Sequence, residues 1–154
     1  MKEINPKIEF SSDFIIGYPG EEEQDFEDTI NLIRRIKFIN SYSFIFSPRP
    51  GTVAEKLNLI KKDISNKRLS VIQNILFNNQ IARNKLFENK IVNVLVENQM
   101  KDKTKLFGRT EFMTPVIFEG NIKEIGNIVK IKINSSNQNS LFGTMIIKQN
   151  KKVA

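Results

Sequence analysis

The amino-acid sequence predicts an α/β unit followed by a long helix and a small all-β barrel. Three observations carry that expectation. An apolar strand, a glycine-proline loop, an amphipathic helix and a second apolar strand follow one another over residues 8–46. One helical periodicity then runs from about residue 63 to 87. From Lys90 the pattern changes to the two-residue alternation of half-buried strands. A chain of 154 residues allows one domain, or one small domain plus a piece of another. The expected division is 1–62, a linking helix over 63–87, and a barrel over 88–150.

Met1 to Lys7 is a short lead-in to the first strand, Ile8–Ile16. That strand is largely apolar, as strands covered on both faces are. Asp13 within it needs either a polar interior or a solvated rim, and the sequence leaves both open. Gly17-Tyr18-Pro19-Gly20-Glu21 is a tight turn of residues suited to unusual backbone angles. A helix follows from Glu22 to Ile36. Its acidic first turn (Glu22, Glu23, Asp25) complements the helix dipole. Phe26, Ile30, Ile33 and Ile36 form one stripe that packs on a sheet. Tyr42–Phe46 is the second strand. Strand, crossover helix and strand predict a parallel pair with a right-handed crossover. Both loops, Gly17–Glu21 and Ser47–Thr52, then leave the carboxyl ends of strands, where parallel α/β folds hold ligands. In the second loop Pro48 and Pro50 stiffen the backbone around Arg49. Read from spacing alone, Arg49 is a solvated surface residue.

Residues 53–62 read as a short helix or an irregular link. Asp63 or Ser65 is expected to cap the long helix. Leu69, Ile72, Ile75 and Leu76 mark its buried side, with Lys67, Arg68, Arg83 and Lys85 on a solvated face. The strands expected beyond it are Ile91–Val96, Leu106–Thr110, Pro115–Phe118, Asn127–Ile133 and Leu141–Ile147. Five short strands in some sixty residues predict an antiparallel barrel of the OB type. Val129, Ile131 and Ile133 fall on one face of the fourth of these strands, and Lys130 and Lys132 on the other. The polar tail from Gln149 is expected to fray.

Composition removes whole classes of chemistry. The chain has no cysteine and no histidine. Disulfides, thiol nucleophiles, Cys/His zinc sites and thiolate-held iron–sulfur clusters are therefore excluded within it. No catalytic residue and no metal ligand is expected. No run of eighteen apolar residues and no apolar leader segment is visible, so the expected setting is the cytoplasm, with no membrane partner. The net charge of +7 is uneven: residues 87–154 hold eleven Lys/Arg against six Asp/Glu. A basic C-terminal region suits RNA, but the lysine-rich composition of the whole chain is an equal explanation.

Two sets of residues carry a family resemblance. Ser12-Asp13-Phe14-Ile15-Ile16-Gly17-Tyr18-Pro19-Gly20-Glu21, followed by Phe46-Ser47-Pro48-Arg49-Pro50-Gly51-Thr52, resembles the late radical-SAM barrel of the tRNA methylthiotransferases. Tyr18 stands where that family usually has Phe, and Glu22 where it has Thr. Leu95-Val96-Glu97, Gly108-Arg109-Thr110-Glu111, Val116 to Gly120, Ile125-Gly126 and Ser140 to Gly143 resemble the TRAM domain, an RNA-binding barrel. Phe112-Met113-Thr114 stands where many relatives carry asparagines.

The resemblance implies a C-terminal portion of such an enzyme: the end of a TIM-like radical-SAM barrel, then a TRAM domain. It implies addition of a methylthio group to carbon two of isopentenyladenosine, beside the tRNA anticodon. S-adenosylmethionine and two 4Fe-4S clusters would serve the full-length enzyme. Gly17, Pro19, Gly20, Glu21, Ser47, Pro48 and Arg49 would line the cofactor and substrate side. Arg109, Lys130 and Lys132 would hold RNA backbone. The implied partners are a tRNA anticodon stem-loop and the N-terminal part of the same enzyme. Lacking the cluster cysteines, this chain cannot catalyse alone, and the alternative is a non-catalytic RNA-binding module. Two parallel strands cannot close a barrel, so residues 1–60 are expected to be loosely held in isolation and 88–148 to fold independently.

Overall fold

The computed structural model describes residue 1 and residues 3–146. The chain divides into two compact units, Met1–Gln80 and Ile81–Ala154.

In the first unit, β1 (Asp13–Ile16) and β2 (Tyr42–Ile45) pair in parallel, in register from Asp13 opposite Tyr42 to Ile16 opposite Ile45. Between them runs α1 (Glu23–Ile36). The first strand is thus four residues rather than the nine expected. The reason lies in its partner. After α1 the chain turns through two left-handed residues, Lys37 and Asn40, before it can extend. Phe10 and Ser12 accept bonds from Ile39 and Tyr42 (2.8 and 3.2 Å), but no ladder forms there. Phe26 and Ile33 of α1 pack with Phe14, Ile16, Ile72 and Leu76 in one core, as the apolar stripe requires. The opposite sheet face is bare: Ile15 is 59% exposed, Phe44 54% and Tyr42 64%. Asp13 is exposed on the same face.

The long helix α2 spans Lys62–Lys85. It begins before Asp63 and Ser65, so neither caps it, and Ser65 is buried inside the helix. It ends two residues short of Phe87, where the Phe87 N–H turns back to the Asn84 carbonyl at 3.0 Å.

The second unit is a closed barrel of β3 (Ile91–Gln99), β4 (Lys105–Arg109), β5 (Pro115–Glu119), β6 (Ile128–Ser136) and β7 (Leu141–Met145), in the order β3-β4-β5-β7-β6. Ile147, placed in the last strand by the sequence, and the tail from Gln149 lie outside the described residues. The ring is mixed rather than antiparallel, because β5 and β7 run parallel. Parity demands this: five strands cannot alternate direction all the way round a closed ring. The core is Val94, Val96, Leu106, Val116, Phe118, Ile131, Ile133 and Leu141, with Phe87 at one end. Gly143 is where β7 presses on β6. A Cβ there would sit 2.4 Å from the Lys132 carbonyl oxygen, closer than any real side chain lies. Among the described residues, no helix is long and apolar enough to cross a membrane.

Candidate functional site

The loops after β1 and β2 emerge at the same sheet end, because the strands are parallel. The Phe46 N–H donates to the Ile16 carbonyl at 2.8 Å. The rings of Tyr18 and Phe46 meet edge to face at 4.9 Å, tying one loop to the other.

The first loop is organised around Glu21. One carboxylate oxygen accepts from the Gly17 N–H at 2.8 Å. The other accepts from Arg68 of α2 at 2.7 Å. Arg68 also donates to the Glu21 carbonyl at 3.2 Å and to the Glu23 carboxylate at 2.7 Å. Its guanidinium lies 5.2 Å from the centre of the Phe26 ring. The Arg68 and Glu21 side chains are only 9% and 12% exposed, against 71% for Glu23. Burial alone would lower the Arg68 pKa, but the bonds to Glu23 and Glu21 outweigh it and hold the guanidinium above its ordinary value. Arg68 is therefore no member of a solvated face; it is the buried anchor of the loop. The same helix sets Gly17. Its φ is +75°, and a Cβ would lie 2.5 Å from the Ser65 hydroxyl. Only glycine lets α2 come so close.

A cleft of about 300 Å³ opens beside this loop, lined by Tyr18, Pro19, Gly20, Glu21 and Asp25. Asp25 also accepts from the Glu22 N–H at 2.9 Å, fixing the start of α1. In the second loop Ser47, Pro48 and Arg49 are all exposed. The Thr52 hydroxyl donates to the Arg49 carbonyl at 2.8 Å, and the Gly51 N–H to the Glu55 carboxylate at 2.8 Å. The turn that follows Arg49 is thus held by bonds within residues 49–55.

On the barrel, Lys130 and Lys132 are exposed on β6, opposite Asn93 and Ile91 of β3. Arg109 faces out from β4 but is engaged. It pairs with Glu97 at 3.2 Å, donates to the Met113 carbonyl at 3.2 Å and stacks 5.3 Å from the Phe107 ring. It pins the turn Thr110–Thr114 to the barrel wall. Phe112 in that turn packs towards the core rather than standing free as a base platform. Arg83 lies over Phe87 at 4.5 Å and Phe112 at 5.4 Å, so it too leaves the solvated face assigned to it.

One protein family matches the barrel. Residues 85–146 match the TRAM domain. Over all 154 residues the chain is 66% identical to a tRNA-2-methylthio-N(6)-dimethylallyladenosine synthase of Pelagibacter ubique (strain HTCC1062), covering 34% of that protein. It is 45% identical over 147 residues to the synthase of that name from Ruthia magnifica subsp. Calyptogena magnifica, covering 95% of this chain and 33% of the relative. To that from Clostridium novyi (strain NT) it is 40% identical over 148 residues, again 95% of this chain and 33% of the relative. The chain spans about a third of the length of these curated relatives, and it matches their C-terminal part. The TRAM match includes Arg109, Lys130 and Lys132. The two strand-end loops lie upstream of it, within the stretch shared with the synthases. Sequence reasoning missed Arg68 and Ser65, whose partners lie some forty-five residues away. The one available signal was a lone arginine three residues beyond Ser65, on the apolar side of α2.

Proposed function

We propose that this chain is the C-terminal third of a tRNA methylthiotransferase that places a methylthio group on isopentenyladenosine beside the anticodon. The observation that carries the reading is identity of 66% across all 154 residues, both strand-end loops and the TRAM segment included. In this reading β1, α1 and β2 are the last units of a larger radical-SAM barrel. Their bare face, with Ile15, Tyr42 and Phe44, is covered by the N-terminal part of the enzyme. An apolar face of that kind marks an interaction surface.

The Gly17–Glu21 cleft suits S-adenosylmethionine, whose sulfonium and ammonium are cationic. Tyr18 supplies an aromatic wall and Asp25 a carboxylate, while Glu21, paired with Arg68, shapes the cleft. When bound, the cofactor supplies the radical chemistry. Arg68 and Ser65 position the loop, and the turn around Arg49 offers a cation to the substrate. The two 4Fe-4S clusters need thiolates, which this chain lacks, so the N-terminal part would hold them. The TRAM barrel grips the anticodon stem-loop through Lys130 and Lys132, with Arg109 shaping the neighbouring turn. The enzyme works in the cytoplasm, where its tRNA is. The absence of cysteine and histidine favours a second role for the chain by itself, RNA binding without catalysis.

The test is activity of the intact enzyme that carries these residues. Reconstituted without oxygen and given S-adenosylmethionine and isopentenyladenosine-containing tRNA, it should yield the methylthio nucleoside by mass spectrometry. Arg49→Ala should lower the yield at least tenfold. A fully reconstituted enzyme that leaves the nucleoside unchanged would overturn the reading.

A further inference from the structure

We infer that a groove on the outer barrel surface, between β5, β7 and β6, binds one unpaired base of a single-stranded RNA and prefers a base with an exocyclic amino group. The inference rests on the RNA-binding reading of the barrel and goes beyond it to a defined base subsite. The groove measures about 330 Å³ and includes Ile117, Glu119, Asn134, Phe142 and Thr144 in its lining.

Strand register builds it from two parallel rows. Phe107, Ile117, Phe142 and Ser135 stand side by side across β4, β5, β7 and β6. Lys105, Glu119, Thr144 and Lys132 form the next row across the same four strands. Both rows point away from the core, where alternation ordinarily puts polar residues. Three apolar side chains in one outward row do nothing for the interior. They form a half-buried platform on which a base can stack.

The second row supplies the polar contacts. Lysines stand at its two ends, three strand spacings or about 14 Å apart, where a nucleic-acid backbone can pass on either side. Glu119 and Thr144 lie between them. The carboxylate accepts hydrogen bonds only, so it selects an amino-bearing edge over a carbonyl. A β-bulge adds to this. The register shifts between Ile133 and Ser135, which puts two consecutive exposed polar residues, Asn134 and Ser135, at the groove. Bulges of this kind re-aim side chains. Asn134 donates to the Thr144 hydroxyl at 2.8 Å, which fixes both across the opening. The flat apolar floor, the amide and hydroxyl at the rim and the flanking cations together fit a nucleobase on a polyanion better than a peptide side chain.

The experiment uses the 154-residue chain and single-stranded RNA nonamers of adenine, cytosine or uracil, with 2-aminopurine replacing one central base as a stacking reporter. The parent chain should quench the reporter and bind the adenine and cytosine strands more tightly than uracil. Phe142→Ala should weaken binding about tenfold without changing its salt dependence. Glu119→Ala, an exposed outward change that removes the acceptor and spares the core, should erase the preference for amino-bearing bases. Lys130→Ala, outside the groove, should lower the salt slope by about 0.7 and keep the base preference. If RNA binds and both Phe142→Ala and Glu119→Ala behave as the parent, the groove assignment fails while the RNA reading stands. If no strand binds even at low salt, both fail together.

Discussion

The barrel pairs all five of its strands into a ring, whereas β1 and β2 keep an edge on either side and one face in the open. Both regions obey the same alternation of side chains. In the barrel the inward set meets itself across the ring, so each inward residue finds apolar neighbours from several strands. In the βαβ unit only Phe14 and Ile16 are so covered, by α1 and α2. The outward set, Ile15 with Phe44 opposite, stays exposed. Closure, rather than apolar content, separates the two regions.

Substitutions that act on this contrast should rank accordingly. Ile131→Ala removes a fully buried barrel side chain and should cost about 3 kcal/mol, read from chemical denaturation of the barrel. Ile15→Ala, equally apolar but on the bare face, should change stability by less than about 0.5 kcal/mol. Equal costs would erase the distinction between the faces. Arg68→Ala strands the buried Glu21 carboxylate and should destabilise the first unit by about 3 kcal/mol. Glu23→Gln, on the exposed arm of the same cluster, should cost less than about 1 kcal/mol. Protease susceptibility of the Gly17–Glu21 loop reads both.

A smaller effect is expected at Gly17. Gly17→Ala meets both a left-handed φ and the Ser65 hydroxyl, and should cost more than about 1 kcal/mol. Adding Ser65→Gly should restore only the part due to the clash. The smallest effect belongs to Asp102, whose carboxyl is held below its ordinary 3.8 by the Thr104 hydroxyl and N–H and by Lys105. A lowered folded-state pKa means its contribution is complete above 3.8 and fades as acid takes the pH below that value. Asp102→Asn should lower stability slightly at neutral pH, where the contribution is complete, and converge on the parent in strong acid, so that the acid limb of the stability profile is slightly flatter.

Much of this was legible in the sequence, and the parts that were not have a common cause. Local signals gave the elements: the Phe26–Ile36 stripe for α1, the Val129, Ile131, Ile133 alternation for β6, and the proline at the start of β5. What failed depended on distant partners. Residues 8–12 look like strand, but the chain opposite them is still turning. Antiparallel closure was expected although an odd ring forbids it. Asp63 and Ser65 are good cap residues, yet the helix begins earlier and buries Ser65 against Gly17. Arg68 read as a surface cation because its carboxylates are remote in sequence. At the candidate site the Gly17–Glu21 loop was found by its glycines and proline, while the groove of Asn134 and Phe142 depends on a bulge that no local pattern announces.

Hydrogen exchange of the 154-residue chain, compared with the matching residues of a full-length synthase, tests the central claim most directly. In the chain alone, amides of β3 to β7 should be strongly protected, and those of β1 and β2 should exchange orders of magnitude faster. In the full-length synthase, the strands that match β1 and β2 should be protected as well as the barrel. Equal protection of both regions in the isolated chain would contradict the account, because the βαβ unit would then need no further surface to complete it.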